Sequence, residues 1–111
     1  MKRGEIWIVA GGPDYTGKPR PAVIVQSDRF DATNSITVVG FTTNPLDAPL
    51  TRPAVEPDAT NGLGVSCRLM ADKITTVPKT KLGRRIGSLA IADMLRLDRA
   101  MLVFLGIAGA A

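Results

Sequence analysis

Apolar and polar positions alternate in short runs along the first three quarters of the chain. The runs are "EIWIV" (5–9), "PAVIVQ" (21–26), "SITVVGFTT" (35–43), a weaker "RPAVEP" (52–57), "VSCRLMADKITTV" (65–77) and "GRRIGSL" (83–89). They are rich in β-branched residues and separated by stretches carrying Gly and Pro, which is how strands joined by turns are written. After Ser88 the period lengthens. Ala90, Met94, Leu97, Met101 and Leu105 fall at steps of three and four, while Asp93, Arg96 and Arg99 lie off that line. Ser88 is suited to cap the start of this helix and Gly106 to stop it. The pattern predicts a mainly β domain, a compact barrel or strongly bent sheet, closed by one C-terminal α-helix.

Length and composition narrow the class. A chain of 111 residues has room for a single core, so residues 1–111 read as one domain. An apolar fraction of 45% with 22% charged residues is that of a folded protein rather than a disordered one. The tract "AMLVFLGIAGAA" at the C-terminus is shorter than the ~20 residues a bilayer needs, and Met1-Lys2-Arg3 leads directly into a strand with no secretory pattern. A cytoplasmic protein is expected. The helix's polar face is mixed in sign, which assigns its apolar stripe to core or subunit contact rather than to a membrane.

One cysteine and no histidine exclude a disulfide framework and the usual zinc patterns, so no metal or cofactor site is read. Cys67 has two readings, a small apolar filler or a reactive thiol. Fourteen Lys and Arg against ten Asp and Glu leave +4, a balance compatible with a polyanionic partner.

Candidate chemistry begins at "GKPRPAVIVQ" (17–26). Pro19 and Pro21 fix their own φ and push Lys18 and Arg20 toward extended geometry, so Arg20 is a cation with little backbone freedom. Loops 10–19 and 44–51 border the central strands, with Arg20 and Thr42-Thr43 at their edges, a placement typical of functional residues. Farther on, "KITTVPKTKLGRR" carries Lys73, Lys79, Lys81, Arg84 and Arg85, enough charge to track a phosphate backbone.

Four ordered motifs, "RGEIWIV", "RPAVIVQSD", "VVGFTTNP" and "NGLGVSCRLMADKITTVPKTKLGRRIGSL", followed by one helix, resemble the MazF/PemK family of toxin endoribonucleases from Arg3 to about Leu105. The resemblance implies an SH3-like β-barrel with a terminal helix and a homodimer. It also implies metal-independent cleavage of single-stranded RNA at short sequences, and a cognate antitoxin whose extended tail occupies the RNA groove. Carried over by motif, Arg20 falls on the catalytic arginine and Thr42 on the catalytic threonine. Thr43 falls on a base-contacting position, and Asp72-Lys73 on a pair lining the RNA site. Tyr15 stands where certain relatives carry a base-reading glutamate. Some relatives also use a histidine in the first loop and an arginine two residues before the acidic position. This chain has no histidine and has Met70 there.

The implied reaction is attack of the RNA 2′-hydroxyl on the adjacent phosphorus, giving a 2′,3′-cyclic phosphate and a 5′-hydroxyl. Without imidazole the work passes to guanidinium, hydroxyl and carboxylate groups. Arg20 suits the charged phosphorane, Thr42 can orient the phosphate or relay a proton, and Asp72 is the candidate proton acceptor, unless it is simply paired with Lys73, Arg68 or Lys79. Tyr15, Lys18, Thr43, Lys73, Lys79 and Lys81 are the candidate RNA contacts. Two other classes stay open. One is a CcdB-like topoisomerase poison, whose C-terminal Trp-Gly-Ile is here Leu105-Gly106-Ile107. The other is a catalytically silent SH3-like binding module, distinguished by whether Arg20 and Thr42 converge.

Overall fold

A computed structural model of the chain describes residues 1–11, 18–45 and 48–107. Six strands, β1 (Glu5–Val9), β2 (Arg20–Ile24), β3 (Ser35–Thr42), β4 (Ala54–Val55), β5 (Cys67–Pro78) and β6 (Leu82–Ser88), precede one helix, α1 (Ile91–Phe104). They form one antiparallel sheet in the order β4-β5-β3-β2-β1-β6. The sheet curls, as expected of a small SH3-like barrel, and a 3-10 turn over Lys79–Lys81 joins β5 to β6.

Period-two alternation divides the side chains between two faces. Ile6, Val23, Val39, Phe41, Leu69 and Ala71 point to the face covered by α1, where Leu97 and Ala100 complete the main core. Val9, Ala22, Ile24, Ile36 and Val38 point to the other face and form a second cluster with Trp7, Val77 and Leu82. Mutual support of the strands is what allows so short a chain to bury two clusters, since each strand's two faces are both in use.

The expected boundaries shift in ways that have local causes. Strand β2 takes in Arg20 and stops at Ile24, because the Gln26 side chain replaces the ladder: its Oε1 accepts from the Thr37 amide and its Nε2 donates to the Phe30 carbonyl. Thr43, expected in the third strand, lies beyond its end and is exposed. Ser88 does not cap the helix. It ends β6, where its hydroxyl accepts from Arg85 Nη2 at 2.6 Å, and Ala90 occupies the cap without a side-chain bond. Gly106 does stop the helix, at φ 71°, with its amide on the Val103 carbonyl and that of Ile107 on Leu102, the paired bonds of a Schellman motif. Leu105, expected in the buried stripe, is 55% exposed.

Residues 56–66 form a long irregular segment that the loop expectations passed over. Asn61 is its buried anchor. Its Nδ2 donates to the Glu56 carbonyl at 2.9 Å, and its Oδ1 accepts from the amides of Asp58 and Leu63. The segment lies so close to β6 that a Cβ on Gly87 would come within 2.4 Å of the Thr60 carbonyl oxygen. Among the described residues no helix is long and apolar enough to cross a membrane.

Candidate active site

One row of register crosses the whole sheet. Leu82 pairs with Val9, Val9 with Arg20, Thr42 with Arg68, and Arg68 with Ala54. The β2/β3 register, Ala22 opposite Gly40, continued by two residues, sets Arg20 level with Thr42. Residues level with one another across antiparallel strands share a face, so Arg20, Thr42 and Arg68 project to the same side on three consecutive strands. With strands about 4.8 Å apart, Arg20 and Arg68 stand about 10 Å from each other across Thr42.

Arg20 lines a small, mostly apolar hollow on the second face, with Val9, Pro21, Ala22, Val38, Thr75 and Val77 around it. Its Nε is buried and has no hydrogen-bond partner among the described residues. Among those residues no carboxylate pairs with it either, whereas Arg3, Arg52, Arg85 and Arg96 each have an acidic partner. A half-buried guanidinium whose Nε lacks a partner favours the arrival of an anion that can take its parallel N–H bonds.

Thr42 ends β3. Its hydroxyl accepts from the Asn44 amide at 3.1 Å, which fixes the oxygen while allowing its proton to be donated outward. It opens into a second depression of about 220 Å³, whose walls include Thr43, Glu56, Ser66 and Arg68. Thr42 and Thr43 are thus brought together, and Arg20 is on the adjacent strand.

Asp72 has a different partner from those the sequence suggested. Strand β5 is irregular between Leu69 and Ile74: Phe41 pairs with Leu69 but Val39 with Ile74, so Met70–Lys73 bulge out of the β3 ladder. The amides of Leu69 and Ala71 bond instead to the carbonyls of Pro53 and Thr51. This brings Arg52, a nearly buried side chain, onto Asp72, with Nε and Nη2 on the two carboxylate oxygens at 3.1 Å each. The Arg52 hydrogen bonds hold the Asp72 carboxyl below its ordinary range, overcoming a smaller opposing effect of burial, with Lys73 adding a favourable charge. The Arg52 carbonyl in turn accepts from Arg68 Nη1 at 3.2 Å, so Asp72, Arg52 and Arg68 form one chain of contacts.

The remaining candidates are scattered. Lys18 is exposed just before β2, and Lys73 is exposed beside Asp72. Lys81 is exposed next to Leu82, at the β6 edge of the row. Lys79 is at the other end of β3 from Thr42, where Ser35 pairs with Pro78, and its ammonium donates to the Asp31 carbonyl. Arg85 is engaged by Glu5 and Ser88. The segment 73–85 therefore does not present one continuous basic track. Tyr15 lies outside the described residues, as do parts of the loops 10–19 and 44–51. Cys67 is buried, and burial first, then Glu56, pushes its thiol upward, which suits a filler rather than a nucleophile.

Sequence reading missed Arg52, Glu56, Ser66 and Arg68 as site residues. Arg52 and Arg68 did carry a signal, being arginines inside apolar runs, but nothing local told which strand each would face.

Comparison with known proteins bears on the family and the fold. A family model described as PemK-like, MazF-like toxin of type II toxin-antitoxin systems matches residues 2–105. The chain is 58% identical over 98% of its length to all of a probable endoribonuclease MazF of Mycolicibacterium smegmatis. It is 34% identical over 96% of its length to 98% of endoribonuclease MazF9 of Mycobacterium tuberculosis. Among solved structures, a mycobacterial endoribonuclease in complex with its cognate antitoxin superposes with a TM-score of 0.77 at 25% identity, covering 96% of each chain. Mycobacterium tuberculosis toxin MazF-mt6 gives 0.77 at 28% identity, covering 91% of this chain and 95% of that one.

Proposed function

The chain belongs to the PemK-like, MazF-like family of type II toxins, and on that premise we propose that it is an endoribonuclease that cuts single-stranded RNA without a metal ion and is neutralised by a cognate antitoxin. The observation that carries the catalytic part is Arg20, its Nε buried and unpartnered among the described residues, on the strand next to Thr42 and level with it in backbone register.

RNA supplies its own nucleophile, the 2′-hydroxyl, so the protein has to hold the phosphate in line and neutralise the charge that grows on its oxygens. Arg20 donates parallel N–H bonds to those oxygens from a position that Pro21 and the β2 ladder have already fixed, so little reorganisation is needed as the phosphorane forms. Thr42, its oxygen held by the Asn44 amide, donates to the same phosphate or passes a proton at it. Asp72 is assigned a positioning role: both its oxygens are engaged by Arg52 and its proton affinity is lowered, which makes it a poorer base than an unpaired carboxylate. Lys18, Lys73 and Lys81, all exposed, are assigned to backbone phosphates, and Thr43 to the nucleotide beside the cut.

The antitoxin assignment follows the structural relative solved with its own antitoxin. A homodimer is supported by α1, which leaves Ile91, Leu95 and Leu102 exposed along one side of the helix. Incubating the purified protein with a mixed-sequence transcript in excess EDTA tests the reading. Scission leaving 2′,3′-cyclic phosphate ends is the expected result, lost in Arg20→Ala. Binding without scission, or full activity in Arg20→Ala, would overturn it.

A further inference from the structure

The depression beside Thr42 has two charged walls of opposite sign that do not touch. Arg68 and Glu56 both line it: Arg68 is level with Ala54, and Glu56 follows directly on β4, which ends at Val55. Opposite charges lining one depression ordinarily close into an ion pair. Here each is held back by a neutral partner. Arg68 Nη1 is on the Arg52 carbonyl at 3.2 Å, the Glu56 carboxylate accepts from the Ser66 hydroxyl, and the Glu56 backbone is fixed by Asn61 Nδ2 at 2.9 Å. Among the described residues no ion pair joins them, and the small side chain of Ala54 lies on the same wall.

We infer that this slot reads the hydrogen-bonding edge of one unpaired nucleobase next to the scissile phosphate, Glu56 accepting an N–H of the base and Arg68 donating to its carbonyl or ring nitrogen. The inference rests on the nuclease reading above and adds the residues that select sequence. Three physical points carry it. A donor and an acceptor wall kept apart suit a planar ring whose edge bears both functions. Such an edge is accessible only in an unpaired base, which agrees with a single-stranded substrate. The row of register puts Arg68 next to Thr42 and about 10 Å from Arg20, within reach of the nucleotide adjoining a phosphate held there.

The experiment maps cut ends on a randomised RNA pool by sequencing, for the wild type, Glu56→Gln and Arg68→Lys. Glu56→Gln keeps the shape but exchanges an acceptor for a donor. Arg68→Lys keeps the charge and removes the planar fork, so a mere phosphate contact would survive it. The expected result is a change of about tenfold or more in base preference at one position flanking the cut, the same position in both variants, with preferences elsewhere unaltered. An unchanged preference at every position, or equal slowing on all sequences, overturns the slot. Either variant alone decides if the other fails to fold, as judged by its thermal melt. A wild type that cuts nothing would instead overturn the nuclease reading, so the two failures are distinguishable.

Discussion

At the scale of single residues, the account turns on which arginines are already satisfied. Arg52 spends its guanidinium on Asp72 and Arg3 on Asp98, whereas Arg20 has none of its charge met by the described residues. Removing a preorganised donor of this kind slows turnover by ~10²–10³-fold, so Arg20→Ala should lose that much in kcat with its melting temperature unchanged or raised, as measured by single-turnover cleavage and calorimetry. Asp72→Asn should act differently. It leaves Arg52 buried without its counter-charge, and a cost of about 2–3 kcal/mol is expected, read by urea unfolding. Because the Asp72 carboxyl is held below its ordinary value, its contribution is complete above that value and disappears as pH falls through the lowered one. The wild type should therefore lose stability as pH falls through and below the ordinary carboxylate range, and Asp72→Asn should show a shallower decline. Proline bracketing made Arg20 legible from sequence. Its vacancy was not, because whether a charge is compensated depends on contacts distant in the chain.

At the scale of elements, the site is a product of register. Strand existence was legible from alternation and turn residues, and the helix from its period. The bulge at Met70–Lys73 was not, since "RLMADKI" continues the alternation with nothing to mark a break, and it is this bulge that diverts Asp72 from the basic residues near it in sequence to Arg52. Ser88 misled for a related reason: a residue that could cap a helix was claimed first by β6 and Arg85. Two element-level expectations follow. Leu97→Ala, removing a fully buried side chain where α1 meets the sheet, should cost about 2–5 kcal/mol in urea unfolding. Gly87→Ala should also destabilise, since its Cβ would press on the Thr60 carbonyl and displace the segment that holds Glu56. Its cleavage-site preference should loosen along with its stability.

At the scale of the whole molecule, the curled sheet does two jobs with its two faces. One side buries its apolar residues under α1, and the other, with the strand ends, carries Arg20, Thr42 and Arg68 in one row. The excess positive charge of +4 suits a phosphate-bearing partner, and RNA affinity should fall as salt rises, with a slope of about −0.7 per phosphate contact for a single strand. A flat response would remove the exposed lysines from the interface. The most direct test asks whether Arg20 and Thr42 act on the same phosphate, by measuring kcat/KM for Arg20→Ala, Thr42→Val and the double variant on one cleavable RNA. The account predicts strong non-additivity, the double variant being within a few-fold of the slower single one. Losses that simply multiply would mean that the two side chains act independently, and the shared site described here would be wrong.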